Sequence, residues 1–475
     1  MLKLHKRVKA TQAKVLYTEN KSSEGIDFLM AALTAQRMEN TPIPRLVISS
    51  SVPLMVSTLV SSLYNMVDSI YVSRISEKAL SATTIAFPLT MLLFAASIGT
   101  AMGVNSRLSR FLGEGRLQDA RETGWTGILL ALLSCLPFMA VGAFGLPYLF
   151  PLLTTDTEIL QMGLQYSGVV LLFCIGQMYA SMGARLLQST GFASLSMAAQ
   201  VTGSVINCVL DPILIYGWLG CPAMGIRGAA MATVLAQCVS GGMSTALYFA
   251  KNPSLRLERK DLRFRTDLVS QIYQVALPMM LTMSLNSLLM MITNRILQDF
   301  STTAIAFYGA YSKLQSFMFM PANGLSQGIV PLVGYFYGAK RVSKIRETAN
   351  FTVKLGLGVM AVGMVVFFTV PDLLMSLFAP SAAMLAMGRI GLRILAVTFI
   401  PQLFILVYSN TFVGMGNGRV NMRCSLLRGI LPIPLLLLLL RMAGTTWCWF
   451  AFVLADCSAA LYAMYRYRVQ MGKEN

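Results

Sequence analysis

Asn207 and Asp211 stand four residues apart in the stretch VINCVLDPILIYG, so on a helix they share one face, and Pro212 follows directly. Proline has no N–H to give, which leaves the carbonyl of Cys208 without its helical donor and adds an oxygen one turn from Asp211. A second acid, Asp68, falls late in an earlier apolar stretch, and Thr233 falls early in the stretch after Asp211. Carboxylates, an amide oxygen, a hydroxyl and a freed carbonyl suit a hard cation, or a proton shared between two acids whose ionised forms are penalised by desolvation. The plainer alternative is structural, with Asp211 capping the kink at Pro212 and Asp68 bonded to Ser69 or Asn65.

The elements that must carry these residues are membrane helices. The 475 residues are 55% hydrophobic and 12% charged, with a mean hydropathy of +0.63, which no ordinary water-soluble domain matches. A helix needs about 20 apolar residues to cross a bilayer. The sequence offers about twelve such stretches, at 46–73, 80–106, 124–147, 159–186, 192–217, 224–250, 268–298, 303–332, 349–371, 382–411, 420–442 and 445–465. An ionised Asp at the centre of a span costs about 2.5–3.5 kcal/mol on insertion scales, so it marks an ion or substrate path. Of the acidic residues, only Asp68, Asp211 and Asp456 lie well inside spans, with Asp299 at an edge. Span one reaches Asp68 late, span five reaches Asn207 and Asp211 late, and span six, running the other way, reaches Thr233 early, so all four share the outer half of one bundle.

Other embedded polar groups are candidates for a substrate cleft or gate. These are Lys313 in span eight, Asp456 in span twelve and Asn294 in span seven. Lys313 either repels or gates, or its stem lets the ammonium snorkel, whereas Arg389 and Arg393 near the outer end of span ten serve the interface. Met279, Met280, Met283, Met290 and Met291 in span seven form either an adaptable surface or lipid-facing filler.

Charge sets the topology. With the N-terminus inside, 30 of the 38 Lys and Arg fall on the inner side, in the tail, the connections 107–121, 251–265, 340–354 and 419–428, the end 466–473, and Arg185. The outer connections 145–158 and 370–385 contain none. Both termini are therefore expected in the cytoplasm, and the net charge of +18 reads as a topology signal rather than as nucleic-acid binding. Domain bounds follow: a cytoplasmic extension over 1–45, a first bundle over 46–250, a basic linker over 251–267, a second bundle over 268–465 and a cytoplasmic tail over 466–475. Met38 opens the segment leading into span one, so a natural start there is expected, with residues 1–37 dispensable.

The eight cysteines make no metal-ligand spacing, and the single histidine, His5, lies in the polar tail, which argues against a zinc site and His-dependent catalysis. GLGVMAVG in span nine has no following lysine and is not a phosphate loop. No cofactor and no enzyme activity are expected.

Sliding the chain by 225 residues gives an ungapped match from Pro53/Pro278 to Thr123/Thr348, including Gly99/Gly324, Gly103/Gly328 and Gly113/Gly338, and the tripeptide RET recurs at 121–123 and 346–348. The same offset pairs Gly163 with Gly388 and Gly191 with Gly416, so about six spans are duplicated. An even number of spans per half gives an all-α protein of two parallel six-helix bundles, related by a pseudo-twofold axis along the membrane normal. Asp68, Asn207 and Asp211 have no counterparts in the second half, since Asp68 pairs with Thr293, Asn207 with Pro432 and Asp211 with Leu436.

SVPLMVSTLVSSLYNMVDSIYVSRI, VINCVLDPILIYG, MGIRGAAMATVLAQ and PANGLSQGIVPLVGYFYGAKR resemble spans one, five, six and eight of the multidrug and toxic compound extrusion (MATE) transporters, over roughly residues 42–465. The resemblance carries Asp68, Asn207, Asp211 and Thr233 over as the site of the coupling cation, sodium or proton. It implies antiport of a small organic solute, typically a hydrophobic cation, by a monomer in a bacterial cell membrane, with lipid as its surroundings. Two departures matter: span seven has no carboxylate between Pro278 and Gln298, and 218–224 lengthens the turn after span five. A flippase for a lipid-linked oligosaccharide is the alternative on the same architecture; it would favour deep basic residues, of which the sequence shows chiefly Lys313.

Overall fold

The computed structural model describes residues 40–154, 156–255, 265–378 and 380–473. The expectations for the extension and its start at Met38, and for most of the basic linker, fall outside the described residues. Within the described residues the chain is helical and contains no strand.

Spans one to six are Ile43–Ser73, Glu77–Gly113, Leu117–Ala140 with its short continuation to residue 152, Thr157–Leu172 joined to Ile175–Ser189, Ala193–Tyr216 and Ile226–Lys251. Spans seven to twelve are Thr266–Phe300, Thr302–Gly328 joined to Val330–Gly338, Val342–Thr369, Ala382–Ala396 joined to Phe399–Gly414, Gly418–Ile430 joined to Pro432–Trp447, and Phe450–Lys473. Among the described residues, eight helices are long and apolar enough to cross a membrane unaided, and spans four and ten qualify as bent pairs, with bends of 46° and 41°. Spans eight and twelve complete the twelve, their hydropathy lowered by residues such as Lys313, Gln327, Asp456 and Arg466. We call the end where span one begins and span twelve finishes the basal side, and the opposite end the distal side.

The basic connections are shorter than the sequence suggests. Span two runs to Gly113 and span three starts at Leu117, while span eight ends at Gly338 and span nine starts at Val342. Most of the charged residues expected in loops 107–121 and 340–354 therefore sit on helical turns. Span twelve likewise continues through 466–473 as helix rather than ending at 465.

The duplication is visible contact by contact. Gly163 packs on Phe150 and Gly388 on Met375, partners that are also one repeat apart. Gly191 and Gly416 both take the left-handed backbone, at φ 85° and 84°, in matching turns closed by Phe192 N–H to Leu187 O and Asn417 N–H to Phe412 O.

Between the halves the same rule generates a self-complementary seam. A Cβ on Gly99 would come within 2.6 Å of Met280, and one on Gly324 within 2.6 Å of Met55. Gly113 lies against the Tyr335 carbonyl and Gly338 against the Arg110 carbonyl. Each contact maps onto its partner when the halves exchange, as a twofold axis requires. Glycine is needed because helix backbones meet there with no room for a side chain. All of these positions lie in the basal halves of spans one, two, seven and eight, whereas Met66, Phe87, Met291 and Phe317 in the distal halves are exposed.

A basal clamp also joins the halves. Arg265, just before span seven, reaches Asp119 at 2.9 Å and Glu122 at 2.8 Å on span three, and Asp267 at 2.5 Å. Those hydrogen-bonded carboxylates hold the Arg265 guanidinium well above its ordinary pKa.

Because a Cβ at Gly103 would stand 2.5 Å from the Ile272 carbonyl, Gly103→Ala should cost about 1–3 kcal/mol by overpacking. The lowered melting temperature of the purified protein is the readout. Gly242→Ala, where a Cβ meets nothing within 4 Å, is the matched control.

Candidate functional site

Span five presents Asn207 and Asp211 inward, 2% and 0% exposed. Asn207 Nδ2 donates to Asp211 Oδ1 at 3.4 Å and to Thr233 Oγ1 on span six at 3.5 Å. The Thr233 hydroxyl in turn donates to the Ala229 carbonyl at 3.1 Å. Asn207 Oδ1, Asp211 Oδ2 and Asp68 Oδ1 are all shielded from solvent without a hydrogen-bond partner. Orphaned acceptor oxygens converging in one bundle are what a bound cation or an added proton would satisfy.

Asp68 is close enough for its charge to bear on Asp211, and Tyr64 and Tyr166 lie within electrostatic reach of both acids. The structural alternative for Asp68 does not form: Asn65 donates to the Ser61 carbonyl and Ser69 to the Asn65 carbonyl. Above the site, the Tyr216 hydroxyl donates to the Tyr71 carbonyl at 2.8 Å, tying the distal end of span five to span one.

From Asn207, Thr233 and Tyr64 a cavity of about 250 Å3 runs toward the basal side between spans one, two, four, five and six. Its lining mixes neutral polar side chains, Ser57, Ser61, Gln177 and Gln237 among them, with apolar ones such as Leu54, Phe94 and Ile98, and Arg185 and Gln327 are also part of it. Ser97 Oγ bonds Ser181 Oγ at 2.6 Å, and Gln177 Nε2 donates to Ser181 at 3.1 Å, so the polar wall is partly self-satisfied.

The second half holds a different arrangement around a cavity of about 280 Å3. Arg428 Nε donates to Asp456 Oδ1 at 2.7 Å, and Gln402 Nε2 to Asp456 Oδ2 at 2.6 Å. Gln315 donates to Gln402 Oε1 at 3.2 Å. Tyr308 stacks on Trp449 and on Phe452 beside the pair, with centroids 6.3 and 5.4 Å apart. Gln402 is the repeat counterpart of Gln177, yet it serves an ion pair where Gln177 serves serines.

The sequence signature of the MatE family matches twice, at residues 53–213 and 278–438, two segments offset by 225 residues. The chain belongs to the MatE family. Its members are membrane transporters that need no cofactor, so this MatE protein is an integral membrane transporter and not an enzyme. It is 24% identical over 441 residues to a multidrug export protein, MepA, of Staphylococcus aureus, covering 90% of this chain and 94% of that one. It is 25% identical over 408 residues to an FAD transporter of Shewanella oneidensis, covering 84% and 88%. In fold it is similar to a MOP superfamily transporter from Pyrococcus furiosus, at TM-score 0.85 and 21% identity over 92% of this chain and 98% of that one. A multidrug resistance MATE transporter in an outward-facing conformation matches at TM-score 0.84 and 22% identity, with the same coverage.

Of the sequence-derived candidates in this MatE protein, Asp68, Asn207, Asp211 and Thr233 come together. Asp456 lines the second cavity, but Lys313 is exposed and Asn294 half-buried, and neither lines a described cavity. Arg389 pairs with Asp372 at 2.7 Å and Arg393 donates to the Phe368 carbonyl, both at the surface. Met280 packs in the seam while Met290 and Met291 are exposed. Two residues were missed because they were counted as inner-side charges: Arg428 proves to be the partner of Asp456, and Arg185 a cavity wall.

Removing one member of the Arg428–Asp456 pair leaves the other charge unmatched, so Asp456→Leu should cost about 3 kcal/mol. The double variant Arg428→Met with Asp456→Leu should recover most of the lost thermal stability. A double-variant cycle on the purified protein reads the coupling directly.

Proposed function

We propose that this chain is a secondary active antiporter that exports small organic compounds, hydrophobic cations among them, in exchange for sodium ions or protons. The observation that carries this reading is Asp211. It is fully buried and bonded to Asn207, with an orphaned carboxylate oxygen, and Asn207 and Thr233 line the cavity of the first half. Asp68, Asn207, Asp211 and Thr233 hold the inward-moving cation, as a sodium ligand set or as a proton site. One relative is a multidrug export protein and another an FAD transporter, which supports organic solutes as cargo. On this reading the protein lies in a bacterial cell membrane as a monomer, with the basal side cytoplasmic, where 30 of the 38 Lys and Arg collect.

The bundles over 46–250 and 268–465, joined by the linker 251–267, act as the two moving bodies. With the basal seam closed and the distal halves apart, a bound compound faces outward. Cation entry at Asp68 and Asp211 shifts span one and favours release, and the reverse change parts the glycine seam. Such coupling requires that cation and cargo bind the two facing states unequally. A flippase acting on a lipid-linked oligosaccharide would use the same architecture, and the basic group Arg185 in the first cavity is the observation in its favour.

Efflux of ethidium from vesicles, with the sodium and pH gradients imposed separately, tests the reading. Transport should follow one gradient, and Asp68→Asn and Asp211→Asn should each reduce it at least tenfold while remaining inserted and folded. Full activity in the Asp211 variant would remove the coupling role. A correctly inserted protein that moves no organic cation under either gradient would hand the case to the flippase.

A further inference from the structure

Arg185, near the basal end of span four, is a wall of the first cavity. Its Nη1 donates to Gln188 Oε1 at 2.8 Å and its Nη2 to Gln327 Oε1 at 2.5 Å, the latter crossing from the first half to the second. Among the described residues no carboxylate lies within ion-pair distance of it. A guanidinium offers five N–H donors and a permanent charge in a flat fork that fits a carboxylate or phosphate. Here two donors are spent on neutral amides and the charge is left without a counter-ion.

The neighbours are arranged to hold that geometry. Gln188 Nε2 donates to Ser196 Oγ at 2.9 Å, which turns its oxygen toward Arg185, and Gln200 donates to the same Ser196 at 3.2 Å. In a low-dielectric cavity an unmatched guanidinium is costly, and a ligand anion that pairs with it recovers that cost through charge-assisted bonds. At the other end of the cavity stand Asn207, Thr233 and Tyr64, beneath the acids. Gln200 and Asp211 on one helix are separated by a rise of about 16 Å. The cavity thus carries its one charged lining residue, Arg185, at the basal end and neutral polar groups at the distal end.

We propose that Arg185 is the recognition point for an anionic group, carboxylate or phosphate, on the compound this protein moves. This rests on the transporter reading above and narrows its cargo: organic compounds bearing an acid, zwitterions included, are selected over counterparts in which the acid is masked.

The test uses the full chain in detergent or nanodiscs and two matched fluorescent pairs, with binding read by anisotropy or quenching. One pair is a rhodamine with a free benzoate against its methyl ester; the other is riboflavin 5′-phosphate against riboflavin. The wild type should bind the acid member of at least one pair tenfold or more tightly. Preference in the first pair alone assigns a carboxylate, in the second alone a phosphate, and in both assigns either. Arg185→Gln should bring the ratio of dissociation constants within a pair close to one, and Arg185→Lys, which keeps the charge, should retain part of the preference. Elution profile and melting temperature establish that each variant is folded. A wild type without preference in either pair, or an Arg185→Gln variant with its preference intact, overturns the proposal. Gradient-driven export of the ester dye in that case would leave the antiporter standing. Acid preference without gradient-driven export of any dye would do the opposite.

Discussion

A carboxylate inside a bilayer must be hydrated, protonated or matched by a cation, and Asp211 in this protein has no basic side chain within ion-pair distance among the described residues. That unmet requirement organises the first half. Asn207 donates to one of the Asp211 oxygens at 3.4 Å and to Thr233 at 3.5 Å, serines and glutamines are among the residues lining the cavity below, and Asp68 adds a second acid within range of the first. In the second half the same requirement is met internally, since Arg428 and Gln402 satisfy both oxygens of Asp456. Two halves built on one plan thus carry opposite solutions, one with unpartnered carboxylate oxygens and one with its carboxylate paired.

The shared plan is mechanical. Seam glycines, turn glycines and bent spans recur at matching places, while the chemistry that differs between halves lies on the faces that line cavities. The recurrence of RET fits this division. In the first half Glu122 anchors Arg265 ahead of span seven, and in the second Arg346 and Glu347 border a pocket with Pro44 at the start of span one. Each half holds the entry to the other.

Much of this was legible in the sequence because it depends on local pattern. Long apolar stretches give spans, the recurrence of glycines at a fixed offset gives the pseudo-twofold arrangement, and Asn207 with Asp211 share a face by helical period alone. What was not legible depends on register between helices far apart in the chain. Arg428 is nine residues from Arg419 at the foot of span eleven and reads as one more inner-side charge until packing sets it beside Asp456, 28 residues on. Arg185 reads the same way until Gln327, 142 residues on, is found across from it. Lys313 and Asn294, embedded in the sequence, line neither of the two cavities inside the bundles. The basic connections are short because Lys and Arg are accommodated on the terminal turns of the helices, which extend past the apolar stretches.

The seam carries a consequence about origins. A contact set in which Gly99 meets Met280 and Gly324 meets Met55 is what two identical six-span chains would make on pairing, with no further device needed to fix their orientation. In such a homodimer any acid gained by one copy would appear in both, facing its own duplicate across the axis. Joining the copies end to end frees one to keep buried carboxylate oxygens without a partner while the other ties its own into an ion pair. Fusion is thus the step that allows one face of an otherwise symmetric assembly to specialise.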